Sequence, residues 1–231
     1  MKPYIVAIDG PAGAGKSTMA KRLAKELNIS YIDTGAMYRA CALLAIRHNL
    51  SPKEDSSKLR EILASAELDF RQENGEQHIF LNGTDVSREI REPSISTGAS
   101  DISAIPFVRD LMVEKQRAMA RGKSVLMDGR DIGTNVFPDS KIKIYLTADV
   151  KERAKRRYLE LQEKGDRSPY EIVLQDMISR DENDKNRSYA PLKQAEDAKL
   201  IDTTSLSLEE SFQVLLQYTN QCLEHLGKNE K

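Results

Sequence analysis

Five short apolar runs punctuate the chain: Tyr4–Asp9 (YIVAID), Ile29–Asp33 (ISYID), Ser124–Asp128 (SVLMD), Lys141–Leu146 (KIKIYL) and Lys199–Thr203 (KLIDT). Most are rich in Ile, Val and Leu, which predicts buried parallel strands, and four of the five end in Asp or Thr. Between them the apolar positions recur at helical spacing. Met19, Leu23 and Leu27 do so early, and Leu208, Phe212, Leu215, Leu216, Cys222 and Leu223 form a long amphipathic stripe near the end. Strands alternating with helices predict an α/β fold, a five-stranded parallel sheet covered by helices on both faces. Ligands then gather at the carboxyl ends of the strands, where the Asp residues cluster.

Two stretches depart from this alternation. In Leu68–Ser87, DF and HIFL flank NGEQ, and a second Asn-Gly stands at Asn82–Gly83, so small antiparallel hairpins are expected. From Val150 to Pro191, two highly charged helical segments are separated by KGDRSP. The expected organisation is one domain over residues 1–231, with an insert at about 35–110 and a second at about 150–190. The last residues, GKNEK, are expected to fray.

The chain is 39% hydrophobic and 31% charged, enough apolar material for a core and far from a disordered composition. A net charge of -1 gives no global basic field for nucleic acid or an anionic membrane. The two cysteines, Cys41 and Cys222, read as buried thiols in a reducing compartment. No apolar run reaches membrane-span length, and the first strand begins almost at once, which leaves no room for a leader. A cytoplasmic protein is expected, and a monomer, because no exposed apolar stripe is evident.

Candidate chemistry begins with DGPAGAGKST. Gly10, Gly15, Lys16 and Ser17 satisfy G-x-x-x-x-G-K-[ST] between a strand and a helix. Gly10, Pro11, Ala12, Gly13, Ala14, Gly15, Lys16, Ser17 and Thr18 are the expected phosphate cradle for ATP. Backbone amides would surround the β-phosphate, Lys16 would reach the β and γ oxygens, and the Ser17 hydroxyl would ligate Mg²⁺. No N-K-x-D reads guanine, which argues against a regulatory GTPase. Arg39, Arg109, Arg130, Arg153, Arg157, Arg180 and Arg187 lie near strand ends or in the two inserts, and their number suggests phosphates on more than one ligand. Arg153, Arg156 and Arg157 share a helical spacing, as do Arg180, Asp184 and Arg187. Each set reads either as a solvated charged face or as part of a lid closing over a transferring phosphoryl group. No catalytic base stands out, and an anionic acceptor phosphate would need none.

These stretches resemble the bacterial cytidylate (CMP/dCMP) kinases, type 1 subfamily, among the nucleoside monophosphate kinases. The resemblance spans nearly the whole chain and is carried by DGPAGAGKST, YIDTGAMYRA, VSREIR, MDGRDIGTNVFPD, ERAKRRY and DKNRSYAPL. It implies a three-layer P-loop NTPase fold with a hairpin-containing monophosphate-binding insert and a helical lid. It also implies ATP and Mg²⁺ as donor and metal, and CMP and dCMP as acceptors. On matching residues, Thr34 and Arg39 would contact the acceptor phosphate. Ser100, Arg109 and Asp131 would face cytosine, with Arg130 near the phosphates. Arg180 and Asp184 would hold the ribose hydroxyls, and Arg187 would join the base or phosphate site. Arg153 and Arg157 would approach the ATP phosphates. The catalytic set is then Lys16, Arg130, Arg153, Arg157 and Arg187, and Asp128 is the metal ligand expected beside Ser17. A carboxylate such as Asp131 accepts from cytosine's amino group and repels the carbonyl of uracil. Asn135 departs from the small apolar residue usual in the family. Facing the core it needs partners, and facing the site it changes the acceptor pocket.

Overall fold

The computed structural model describes residues 2–73, 76–163 and 165–229. Its strands are β1 (Ile5–Asp9), β2 (Ser30–Asp33), β3 (Leu68–Glu73), β4 (Glu76–Leu81), β5 (Thr84–Asp85), β6 (Val125–Gly129), β7 (Ile142–Thr147) and β8 (Lys199–Asp202). Its helices are α1 (Lys16–Glu26), α2 (Thr34–Arg47), α3 (Ser57–Ala64), α4 (Pro93–Ile102), α5 (Pro106–Ala120), α6 (Val150–Glu163), α7 (Tyr170–Asn186) and α8 (Leu208–Asn229). A five-stranded parallel sheet runs in the order β2-β6-β1-β7-β8. All five strands read from the apolar runs are found within a residue at either end. The register puts Asp9 of β1 beside Gly129 of β6 and Tyr145 of β7. The carboxyl end of the central strand is therefore where ligands of such sheets bind.

Packing divides the chain into two compact units, Met1–Tyr31 with Ala120–Lys231, and Ile32–Met119. In the first, Val6, Ile8, Leu126, Ile142, Ile144, Leu146 and Ile201 project from one sheet face onto Met19 and Leu23 of α1 and Phe212 and Leu215 of α8. Alternate positions such as Ala7 and Met127 are equally buried, which explains why these strands read as continuous apolar runs. Arg22 of α1 lies over the Phe212 ring at 3.8 Å and pairs with Glu209, fastening α8 to the helix that follows the phosphate loop. Helices α6 and α7 pack as a pair, with Tyr158 and Tyr170 edge to face at 5.9 Å.

In the second unit, α2 packs on α3 and α4, and an antiparallel sheet runs β3-β4-β5. The expected turn at Asn82–Gly83 joins β4 to β5 with both residues at positive φ, the geometry Asn-Gly favours. The other Asn-Gly, Asn74–Gly75, lies outside the described residues. Cys41 is buried, and burial pushes its thiol up to about 12. Cys222 is only half-buried on α8, contrary to the expectation for both. The GKNEK tail is helical through Asn229, and Glu230 and Lys231 lie outside the described residues. No helix among the described residues is long and apolar enough to cross a membrane.

Candidate active site

The turn from β1 into α1 has the form of a phosphate cradle. Gly10, Gly13 and Gly15 have φ of +152°, +71° and +81°, conformations that let successive amides face one point. At Gly10 the demand is also steric, because a Cβ there would lie 1.9 Å from the Leu146 carbonyl oxygen of β7. Pro11, Ala12 and Ala14 are buried, while Gly13 and Thr18 are exposed. Gly15 caps α1, and Lys16 is its first helical residue. The lysine turns back under the loop and donates from Nζ to the Pro11 carbonyl at 2.6 Å, with only 6% of the residue exposed. Burial, reinforced by the Arg130 guanidinium, lowers its pKa to about 7, against the pull of Asp128, Asp184 and Asp9. A polyanion beside Lys16 would oppose that loss of charge.

Asp128 lies near the carboxyl end of β6, whose residues are all buried. Its Oδ2 accepts from Ser17 Oγ at 2.8 Å and its Oδ1 from the Tyr31 hydroxyl at 2.7 Å. The Ser17 hydroxyl and the Asp128 carboxylate thus form a compact pair of hard oxygens, a donor set that fits Mg²⁺. Two residues on, Arg130 donates from Nε to Asp184 Oδ2 at 2.7 Å. Burial works against ionisation of Asp184, but Arg130 outweighs it, with help from Arg187 and Lys16, and the carboxyl stays below its ordinary value. The Arg187 side chain is buried, with Nη1 3.8 Å from Asp184 Oδ1 and Nη2 3.7 Å from Asp131 Oδ1. The spacing of Arg180, Asp184 and Arg187 suggested one helical face. Instead α7 stops at Asn186, and Arg187 is extended, reaching Asp184 from beyond the helix end. Arg180 stays on α7, half-buried.

The arginines of α6 also part company. Arg153 is only 4% exposed and donates three ways, from Nε to Ala148 O, from Nη1 to Ala12 O and from Nη2 to Asp181 Oδ2, at 2.8, 2.8 and 2.6 Å. It therefore ties the phosphate loop to α6 and α7. Arg156 donates to the Thr203 carbonyl at 2.8 Å, and Arg157 pairs with Glu160 at 2.9 Å on the surface. The Arg157 side chain is 36% accessible.

Asp131 opens a wide turn of π-helical form, Ile132–Val136. Both oxygens of buried Asp9 brace its start, Oδ1 accepting from Ile132 N at 2.8 Å and Oδ2 from Gly133 N at 2.7 Å. Asp131 Oδ2 accepts from Asn135 Nδ2 at 3.0 Å, so the flagged asparagine faces a site residue.

Four expected acceptor residues lie in the second unit. Asp33 caps α2 by accepting from Ala36 N at 2.8 Å, which sets Thr34 in the buried first turn. Its other oxygen accepts from Arg39 Nη2 at 3.1 Å. Arg109 of α5 is 1% exposed, lies 5.4 Å from the Tyr38 ring and donates from Nη1 to Ser103 O. Ser103 in turn donates from Oγ to the Ser100 carbonyl at 2.8 Å, linking α4 to that arginine.

The chain matches the family described as "Cytidylate kinase" over residues 6–221. The chain belongs to the cytidylate kinase family. A cytidylate kinase from Caldicellulosiruptor bescii is 51% identical, with 94% of this chain and 96% of that protein covered. One from Halalkalibacterium halodurans is 47% identical over 96% and 99% of the two chains. A solved structure of an uncharacterized protein from Eubacterium ventriosum aligns with TM-score 0.50 at 13% identity, covering 94% of this chain and 98% of that one, a likeness of fold alone.

Around the motifs that mark the family, the structure adds residues the sequence reading passed over: Asp9, Tyr31 and Asp181. Of these, only the end of an apolar strand marked Asp9. Burial raises its carboxyl to about 6, against the hydrogen bonds from Gly133 and Ile132; Asp131 raises it further and Lys16 lowers it. A carboxyl raised above its unfolded value contributes stability below that value, and loses it as pH climbs through about 6. The stability difference between wild type and Asp9→Asn should therefore shrink by up to about 3 kcal/mol from about pH 4 to about pH 7. Urea unfolding at the two pH values measures it, and a constant difference would mean that Asp9 titrates normally.

Proposed function

We propose that the protein transfers the γ-phosphoryl group of ATP to CMP or dCMP, yielding ADP and CDP or dCDP. Family membership supports this reading. The observation that carries it is the interleaved charge beneath the phosphate loop, Lys16, Arg130 and Arg187 against Asp128, Asp131 and Asp184, all in one unit. An oxygen of the acceptor's phosphate attacks the γ-phosphorus in line as the bond to the β-phosphate oxygen breaks. That oxygen is already anionic, so no general base is required. The loop Gly10–Thr18 holds the donor's phosphates, and Lys16, Arg130, Arg157 and Arg187 offset the charge of the transferring group. Bound Mg²⁺, held by Ser17 and Asp128, would supply further neutralisation of the donor's β and γ oxygens.

On the acceptor side, Thr34 and Arg39 bind phosphate, and Ser100, Arg109 and Asp131 bind cytosine. Arg180 and Asp184 bind the ribose hydroxyls, and Arg187 binds base or phosphate. Residues of about 35–110 act as the acceptor-binding insert, and the α6–α7 region, about 150–190, acts as a lid that excludes water. The protein works as a cytoplasmic monomer.

A panel of CMP, dCMP, UMP and AMP with ATP and magnesium, read by coupled ADP release, tests the reading. CMP and dCMP should dominate, and failure to convert any pyrimidine monophosphate would overturn it. Asp131→Ala should lower the CMP-to-UMP ratio of kcat/KM by about 10- to 100-fold, the range of one good base contact. The KM for ATP should move little, and the opposite pattern would refute the role of Asp131.

A further inference from the structure

Asn135 holds Asp131 at two levels. The Asn135 and Val136 amides donate to the Asp131 carbonyl at 2.9 and 3.1 Å, closing the wide turn. This geometry returns the Asn135 side chain to Asp131, where Nδ2 donates to Oδ2 at 3.0 Å. The other carboxylate oxygen, Oδ1, faces Arg187 Nη2 at 3.7 Å. Asp9 fixes the start of the turn through the Ile132 and Gly133 amides. Asp131 is buried, so its carboxylate direction is set by these neighbours rather than by water.

The two neighbours differ in chemistry. Arg187 brings charge, while Asn135 brings an N–H without charge. That neutral N–H engages Oδ2 from a fixed direction and so sets which way the carboxylate plane faces. A hydrocarbon at position 135, the residue type usual in the family, leaves Arg187 facing Oδ1 but gives up the bond to Oδ2, which relaxes the direction of the carboxylate.

We propose that Asn135 is a positioning residue that sharpens pyrimidine choice through Asp131, beyond what the apolar residue usual at this position in the family provides. It holds the carboxylate as an oriented acceptor for an exocyclic amino group and against a carbonyl at the same place. Asn135 need not touch the acceptor. The inference rests on the assignment of Asp131 to cytosine made above.

The test compares Asn135→Leu, which keeps the branched shape, with Asn135→Ala, which truncates it. Both should lower the CMP-to-UMP ratio of kcat/KM by about tenfold, the loss of one hydrogen bond to a charged group. The change should sit in the KM for CMP, with kcat and the KM for ATP within about twofold. In an Asp131→Ala background, neither substitution should lower the ratio further. The proposal is overturned if both variants keep the ratio, if only the bulkier Leu lowers it, or if the effect persists without Asp131. Should one variant fail to fold, the other decides by the same ratio and the same Asp131→Ala background. If Asp131→Ala alone leaves the ratio unchanged, the underlying site assignment fails instead, which separates the two outcomes.

Discussion

Lys16→Ala should lower kcat by about 10³-fold or more while leaving the circular dichroism spectrum and the urea midpoint close to wild type. The magnitude follows from what a fixed cation aimed at a transferring phosphoryl group contributes. The intact fold follows from the burial of the same group. Lys16 sits under the loop at the expense of its own charge, its pKa lowered to about 7. Native packing thus disfavours the ammonium, and removing it relieves a strained charge rather than breaking a stabilising pair. The contact given up is the bond to the Pro11 carbonyl. Coupled ADP release and single-turnover measurements give the rate, and a loss under tenfold would remove the loop from the catalytic step.

Arg153→Ala should behave in the opposite way, costing stability first. Its guanidinium is the hydrogen-bond partner of buried Asp181, whose Oδ1 has no hydrogen-bond partner among the described residues. Truncation strands that carboxylate in the interior, which typically costs about 3–5 kcal/mol. It also frees the Ala12 carbonyl, so the KM for ATP should rise. Adding Asp181→Asn should recover part of the stability, because the stranded charge is then gone. Arg157→Ala is the contrast: its pair with Glu160 is on the surface, so stability should hold and turnover should fall. Equal unfolding free energies for wild type and Arg153→Ala would dismiss the clamp.

The middle of the sheet was legible because its strands are largely buried on both faces, so Tyr4–Asp9 or Lys141–Leu146 betray themselves by composition alone. Strand order was not legible, since no local pattern records which runs become neighbours. The phosphate loop was legible because its chemistry is contiguous in the chain. The destinations of Arg153, Arg156 and Arg157 were not, because helical spacing groups side chains while long flexible stems separate them. Arg153 turned inward to a carbonyl 141 positions away in sequence. The bracing role of Asp9 stayed hidden for the same reason, as its partners lie 123 and 124 positions on. Asn135 was visible as an oddity, but its target was not, because a wide turn brings residue 135 over residue 131 where an ordinary strand-to-helix link would not.

At Gly10 the polypeptide leaving β1 runs so close to the Leu146 carbonyl that only hydrogen fits between them. The nucleotide seat is thus indexed to the sheet by main chain, with no side chain acting as spacer. Aliphatic exchanges deeper in the same strands, at Val6, Ile8 or Ile144, can shift the melting temperature without dislodging that seat. At these strand positions, unlike at Arg153, heat tolerance and donor affinity should therefore vary separately.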